Sequence, residues 1–538
     1  APDWARRDHR ETIAMRISAD PAGRPSPGPL WHTAVLALVV SLAAPFFLID
    51  LPPVLDYPNH LARYFVLAHP DDPLLSQMYA PRWGILPNIG MDVIGATLLK
   101  FTDPHVGGRL ILALSLFAPL AGVVAYSRVA FGRFTYWPLA SGLAAWNAIF
   151  FLGFMNFLLS VGLAFGAAAL WMTLDRRGRR WTAAVSLAVI VAVIFFCHIF
   201  GVLLTALLIG SYELARLLDL RRDGALTLGE GLRTGALIAL VLSPAIALYL
   251  ASPLSGDSTP PTWNGLQKVF VTFAPFTLYS TVLTVATGAL LFSFLVLVWR
   301  QAVFARGVLP ALAALGLVFV VAPSTIKGGT FVEGRLALMF VLLIFAGMQP
   351  RITPRQGLLA GLFFAALIAI RTGYVASGWI DHRQDVADVR SVIAEVKPGS
   401  RVLVARGQPG YKTAGVSPPE RALPGMYRLD GHLGALLAIE RRAFWPLMFA
   451  DPTQQPLAVK PPYSRIAHPL GEPVDWPLLY QDRFSASDID AARYLPDWRK
   501  NFDYVLLIDP PKPLQPPRGL AQVASNDYAV LYRNAPER

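Results

Sequence analysis

The sequence predicts a polytopic α-helical membrane protein of about eleven transmembrane helices followed by a C-terminal soluble α/β domain. Three observations carry that prediction. Hydrophobic residues make up 54% of the 538 residues and charged ones only 15%, outside the range of soluble globular chains. The apolar residues gather in runs rather than alternating, and a bilayer span needs about 20 of them because lipid cannot satisfy open backbone groups. The arginines gather in the short stretches between those runs, as the positive-inside rule requires.

In order, the runs fall at 30–50, 109–127, 135–150, 153–172, 181–198, 200–217, 232–251, 276–299, 307–323, 333–349 and 356–374. The first is long enough to span and lacks a small-residue cleavage site, so it reads as an anchor and not a cleaved signal. Residues 1–14, ahead of Met15, read as an upstream extension. Segment 85–100 is apolar but short, and Pro87, Asn88 and Asp92 interrupt it. It reads as a half-buried or interfacial helix.

Charge then orients the chain. Arg6, Arg7, Arg16 and Arg24 precede the first run. Arg128 and Arg133, then Arg176, Arg177, Arg179 and Arg180, then Arg216, Arg221 and Arg222, mark successive inner loops. Arg300, Arg306, Arg351 and Arg355 mark two more. With 85–100 left out of the count, all of these fall on the cytoplasmic side. The expected domains are a cytoplasmic segment 1–29, a transmembrane domain 30–375 with a first external loop 51–108, and an external domain 376–538. The tail is thus expected to face the periplasm or cell exterior.

The net charge of +12 is thus a matter of topology, and no nucleic-acid partner is expected. Cys197 is the single cysteine, which excludes disulfides and cysteine-based metal sites.

In the tail, Val386, Val389, Ile393 and Val396 recur at helical spacing until Pro398-Gly399. Arg401–Arg406, Asp503–Ile508 and Asp527–Arg533 read as buried strands. The stretch 407–480 is rich in Pro and Gly and irregular.

The chemistry-bearing residues concentrate just beyond the first run. From Asp56, the residues Asn59, His60 and Arg63 follow at i+3, i+4 and i+7, so in a helix all four share one face. Pro58 suits the first turn of such a helix. Asp56 could cap it, or it could act as a general base toward an acceptor hydroxyl or amine. Arg63 could pair with Asp56 or bind phosphate, and His60 could be a second base or a donor. Asn88 and Asp92 stand four apart in the short segment, where an acid needs a partner or an aqueous surrounding. A divalent metal on Asp56, His60 and these acids is conceivable, though no tight ligand spacing supports one.

A second constellation is Lys327-Gly328-Gly329-Thr330-Phe331-Val332-Glu333-Gly334-Arg335. Its glycines expose N–H groups and its cations suit a phosphate or pyrophosphate, while a plain loop with headgroup anchors is the alternative. Arg371, near the outer end of the last run, could join it or snorkel. Trp146, Asn147, Gly153, Asn156 and Phe157 surround a tight external hairpin and read as packing residues. His198 reads as structural.

This layout resembles the GT-C superfamily of integral membrane glycosyltransferases. The likeness rests on a cytoplasmic N-terminus, a long first external loop with an acid just beyond span one, and interfacial helices within that loop. A later loop near 252–275 and an external C-terminal α/β domain complete it. The resemblance implies transfer of a sugar from a polyprenyl-phosphate donor to a lipid, glycan or protein acceptor, with Asp56 in the place of the first-loop acid. It implies Lys327 and Arg335 as the phosphate grip. Many members pair two acids in that loop, whereas Asp56 is followed by Tyr57 and Pro58, which leaves general-base catalysis as the simpler mechanism. A transporter or flippase of a lipid or glycan, or an envelope assembly protein, is the competing reading. A transporter would place broken helices and charges near the midplane.

Overall fold

The computed structural model describes residues 27–407, 422–425 and 427–534. Arg6, Arg7, Arg16 and Arg24 lie outside them, as does 408–421 of the irregular stretch.

Among the described residues, eight helices are long and apolar enough to cross a membrane: Pro29–Phe47, Pro104–Phe131, Met155–Asp175, Arg180–Cys197, Ile199–Arg222, Leu228–Ala251, Thr281–Gln301 and Pro354–Ile393. Three further expected spans take shorter forms. Val308–Val321 has 14 residues and Val332–Gly347 has 16, less than the ~20 that a bilayer core requires. The expected run 135–150 is a 3₁₀ segment, Trp137–Ala144, followed by the short helix Ala148–Leu152. Asn147 breaks the two apart, because its side chain accepts from Phe150 N–H and so caps the second helix. Seven of the eight 3₁₀ residues are buried, so protein and not lipid surrounds this poorer backbone geometry.

Contacts sort the loops into two ends. At one, Arg176 donates to the Val129 carbonyl, Trp31 and Gln349 both reach Thr135, and Arg306 pairs with Asp219. These are the arginine-rich loops. The other end carries residues 47–57, 88–92, 147–157, 252–279 and 324–335, and the tail meets the first external loop there at helix Tyr57–Ala68 and strand Tyr79–Pro81. Two neighbouring helices of the body, Pro104–Phe131 and Met155–Asp175, touch backbone to backbone: a β-carbon at Gly122 would stand 2.5 Å from the Gly162 carbonyl oxygen. Glycine is required there by space.

Segment 85–100 yields the nine-residue helix Gly90–Leu98, too short to span. The last helix, Pro354–Ile393, runs 40 residues without a break, through the expected boundary at 375 and into the tail. At about 1.5 Å per residue it is long enough to tie the two parts together as one rod.

The tail is the expected α/β domain. Its five-stranded sheet comprises β1 (Val402–Arg406), β2 (Val474–Asp475), β3 (Tyr504–Ile508), β4 (Leu520–Ser525) and β5 (Ala529–Asn534), in the order β2-β1-β3-β5-β4. β1 and β3 run parallel and are buried almost throughout, while β5 returns antiparallel to β3, which suits their unbroken apolar sequences. β4 is the exposed edge and its burial does not alternate cleanly, which is why it is not apparent in the sequence. The short strand Tyr79–Pro81 of the first loop pairs with Leu457–Val459 of the domain, stitching the two together.

Candidate active site

Helix Tyr57–Ala68 lies at the seam between the membrane body and the α/β domain. All twelve of its residues are buried. Below it sits Gly90–Leu98, so close that a β-carbon at Gly95 would meet the Tyr64 ring at 2.5 Å. From the domain side, Leu436–Arg441 packs onto it. Asp56 is its N-cap residue and Pro58 lies in its first turn.

The Asp56 carboxylate makes no capping bond. Its Oδ1 stands 3.3 Å from Nε2 of His432 in the α/β domain, and its side chain retains 18% exposure. Backbone bonds from Leu55 and Asp56 N–H to the Phe151 and Leu152 carbonyls fix the turn before the helix. Gly153, in the left-handed region at φ 89°, closes the hairpin against it. A β-carbon there would come within 3.0 Å of the Asp56 Cβ, so close approach and backbone both require glycine.

The expected helix face separates into two sets of contacts. Asn59 reaches the α/β domain: its Nδ2 donates to Leu447 O (2.9 Å) and its Oδ1 accepts from Phe449 N–H (2.8 Å). Arg63 turns to the membrane body and pairs with Asp92, not Asp56, through Nε–Oδ1 at 2.5 Å and Nη2–Oδ2 at 3.1 Å. Both side chains are fully buried. Burial pushes the Asp92 carboxyl upward and the Arg63 guanidinium pulls it back. Arg63 Nη2 also lies 3.0 Å from His60 Nδ1. A guanidinium can only donate, so Nδ1 accepts and the His60 proton sits on Nε2. Burial first, then the Arg63 charge and His432, holds this imidazole well below its ordinary range. In this arrangement Arg63 occupies His60 Nδ1 and the ring presents Nε2–H as a donor.

Asn88 adopts φ 78°, and its carbonyl accepts from Asn156 Nδ2 at 2.8 Å. Asn156 Oδ1 takes Met91 N–H at 2.7 Å, and Ile89 N–H bonds the Phe196 carbonyl at 2.8 Å. This docks the short segment onto the body beside His198, which caps Ile199–Arg222 by accepting from Phe200 N–H.

The second constellation divides. Lys327 directs its ammonium at three carbonyls, Leu254 (3.3 Å), Ser255 (3.3 Å) and Asp257 (2.8 Å), and so clamps the loop ahead of it. Glu333 accepts from Ser324 Oγ at 2.5 Å, with Lys268 Nζ 4.0 Å away. Arg371 donates to Phe276 O (3.1 Å), Thr287 Oγ1 (3.0 Å) and Trp146 O (2.8 Å), latching three segments together. Arg335 differs from these. It is 7% exposed and has no acid partner among the described residues. Its guanidinium faces the rings of Phe154 (4.6 Å), Phe200 (5.5 Å) and Phe157 (5.8 Å), and its Nε has no hydrogen-bond partner.

Asp56 and Arg335 are therefore joined by two consecutive residues, Gly153 packing on the acid and Phe154 on the cation. Among the described residues no group of three or more His, Cys, Asp or Glu side chains could hold a metal ion. Both Asp92 oxygens are engaged by Arg63.

His432 is the residue that the sequence did not single out. It is one histidine in an irregular Pro- and Gly-rich stretch, with no spacing that ties it to Asp56. The only signal available was its residue type.

Fold and site together define a polytopic helical membrane protein whose charged seam lies beneath an α/β domain. No family model and no curated protein matches the chain. Two solved structures are similar to it over nearly its whole length. ArnT from Cupriavidus metallidurans in the apo state aligns over 95% of this chain and 98% of its own, at 13% identity and a TM-score of 0.48. The same protein bound to undecaprenyl phosphate aligns over 94% and 98%, at 11% identity and a TM-score of 0.42.

Proposed function

We propose that this protein is a membrane glycosyltransferase of GT-C type, moving a sugar from a polyprenyl-phosphate donor to a lipid, glycan or protein acceptor. The setting in this reading is the outer face of a bacterial inner membrane, with the α/β domain in the periplasm. One juxtaposition carries the reading. A partly exposed carboxylate, Asp56, and a buried cation with no acid to neutralise it, Arg335, flank the consecutive hairpin residues Gly153 and Phe154. A buried unpaired charge is costly to maintain, and an anionic ligand would compensate it.

The chemistry follows from that pair. Asp56 takes the proton of the acceptor O–H or N–H as the acceptor atom bonds to the sugar's anomeric carbon. The bond from that carbon to the phosphate oxygen breaks, and its electron pair leaves on the phosphate. Arg335 stabilises that charge with donors already held in place by three aromatic rings. The anomeric configuration inverts. Asn88 and Asp92 serve the site indirectly, since Asp92 holds Arg63 and Asn88 anchors the short segment. Lys327, Glu333 and Arg371 hold the loops and helices around Arg335. A polyprenyl phosphate is the ligand named for one of the similar structures, but the reading rests on the residues described above.

The test supplies membranes with undecaprenyl-phosphate pentoses and hexoses carrying labelled sugar. Label should reach a new acceptor with stoichiometric release of undecaprenyl phosphate. No transfer from any donor, with the protein present at normal level, would overturn the reading.

A further inference from the structure

The hydrogen bonds around Asn59 determine which way the Asp56–His432 contact is polarised. The Asn59 amide cannot be flipped without loss: Oδ1 accepts from Phe449 N–H at 2.8 Å, and Nδ2 donates to the Leu447 carbonyl at 2.9 Å. The second proton of that Nδ2 points to His432 Nδ1, 3.2 Å away. An amide nitrogen only donates, so His432 Nδ1 accepts and the ring proton sits on Nε2. That nitrogen is the one 3.3 Å from Asp56 Oδ1. At 3.3 Å the separation is long for a hydrogen bond, a form in which catalytic pairs commonly stand before substrate arrives.

Packing fixes the ring as well. His432 meets Phe449 edge to face at 5.0 Å between centroids and Trp445 at 6.2 Å. Other charged groups around helix Tyr57–Ala68 have partners of their own: Glu440, on the helix Leu436–Arg441 that packs against it, pairs with Arg390 and lies 3.4 Å from His105. His60, which also packs on Phe449, is bound by Arg63, and Arg63 is bound by Asp92. His432 is thus the group that addresses Asp56, and it comes from the α/β domain.

We propose that His432 is a positioning residue for Asp56, held by Asn59 in the tautomer that presents Nε2–H to Oδ1. This rests on the glycosyltransferase reading above and adds a role for the external domain. Engaging Oδ1 leaves Oδ2 to receive the acceptor proton. His432 itself takes no proton in the step: Nε2 already carries one and Nδ1 is occupied by Asn59. The α/β domain therefore completes the site, and a membrane body without it would hold a misaimed carboxylate.

The experiment compares wild type, Asp56→Asn, His432→Phe, His432→Ala and His432→Gln in the full chain, assaying transfer from the undecaprenyl-phosphate sugar that wild type accepts. His432→Phe keeps a ring against Phe449 and Trp445 but removes the donor, and His432→Ala serves if that ring does not fit. His432→Gln restores a side-chain N–H at the reach of Nε2. Loss of orientation should lower kcat about 10- to 100-fold with donor KM unchanged. The acidic limb of the kcat–pH profile should move to higher pH, because a carboxylate that loses a donor is easier to protonate. His432→Gln should recover most of the rate and return the limb.

If Asp56→Asn is inactive while His432→Phe and His432→Ala keep the wild-type kcat and acidic limb, this inference falls and the enzyme reading stands. A lower kcat with an unmoved limb and no recovery in His432→Gln also overturns it, since that is the mark of a merely structural residue. If Asp56→Asn is fully active, the underlying reading itself fails.

Discussion

The two ends of the helical body both bury charge, yet they treat it differently. At the end away from the α/β domain, Asp175, Glu213 and Glu230 share Arg180 and Arg216. Trp171 and Arg180 both donate to Glu213, and Tyr212 donates to Asp175. Every member of that cluster has an opposite charge beside it. At the seam, Arg63 and Asp92 are matched in the same way, but Arg335 meets only rings, and Asp56 meets only an imidazole from another domain. Opposite charges that satisfy each other have little left for a ligand, whereas an unmatched buried charge is costly and would be compensated by an anionic ligand. On this contrast we take the far cluster as structural and propose the seam as the site.

Substitutions can break that contrast in turn. The largest expected effect on stability is at the matched cluster. Glu213→Ala strips the shared partner from Arg180 and Arg216 and should cost about 3–5 kcal/mol, read as a lower melting temperature in detergent. The fraction that remains folded should keep its kcat. Loss of turnover without loss of stability would mean that the far cluster, too, takes part in chemistry.

Arg335→Leu should do the reverse. Replacing an unpaired buried cation by an apolar side chain should leave the melting point unchanged or raised. Donor KM should rise about 10- to 100-fold, the worth of one or two charge-assisted hydrogen bonds. A strongly destabilised Arg335→Leu with normal KM would assign this residue to packing.

The smallest effect sharpens the seam itself. His60 is held below its ordinary range by burial and Arg63, so it stays neutral in the folded protein while the unfolded chain takes up a proton near pH 6.5. As pH falls below that value, the unfolded state binds the extra proton and stability declines by up to about 1.4 kcal/mol per pH unit. It is fully regained above pH 6.5. His60→Gln should flatten that part of the pH–melting curve relative to wild type. An unchanged slope would mean that His60 is protonated in place.

Much of the fold was legible because bilayer physics writes itself into composition: runs of apolar residues and arginine-rich loops suffice to order the helices. Where protein replaces lipid, that legibility ends. Trp137–Ala144 is apolar enough to pass for a helical span, and only its burial within the body lets it adopt a 3₁₀ form. At the site, Asp56, His60 and Arg63 were legible because helical spacing links them. Their pairings were not. Asp92 lies 29 residues from Arg63 and His432 lies 373 from Asn59, separations that no local period encodes. The phosphate grip expected of Lys327 and Arg335 likewise depended on which cation the fold leaves unpaired, and carbonyls engage Lys327.

Asp56 carries the central step of the proposed chemistry. Turnover should be measured at saturating undecaprenyl-phosphate sugar for wild type and Asp56→Asn, alongside their melting temperatures. The prediction is a fall in kcat of about 10²- to 10⁴-fold, the usual worth of a general base, at nearly constant KM and melting temperature. An Asp56→Asn protein that turns over at the wild-type rate would contradict the central claim.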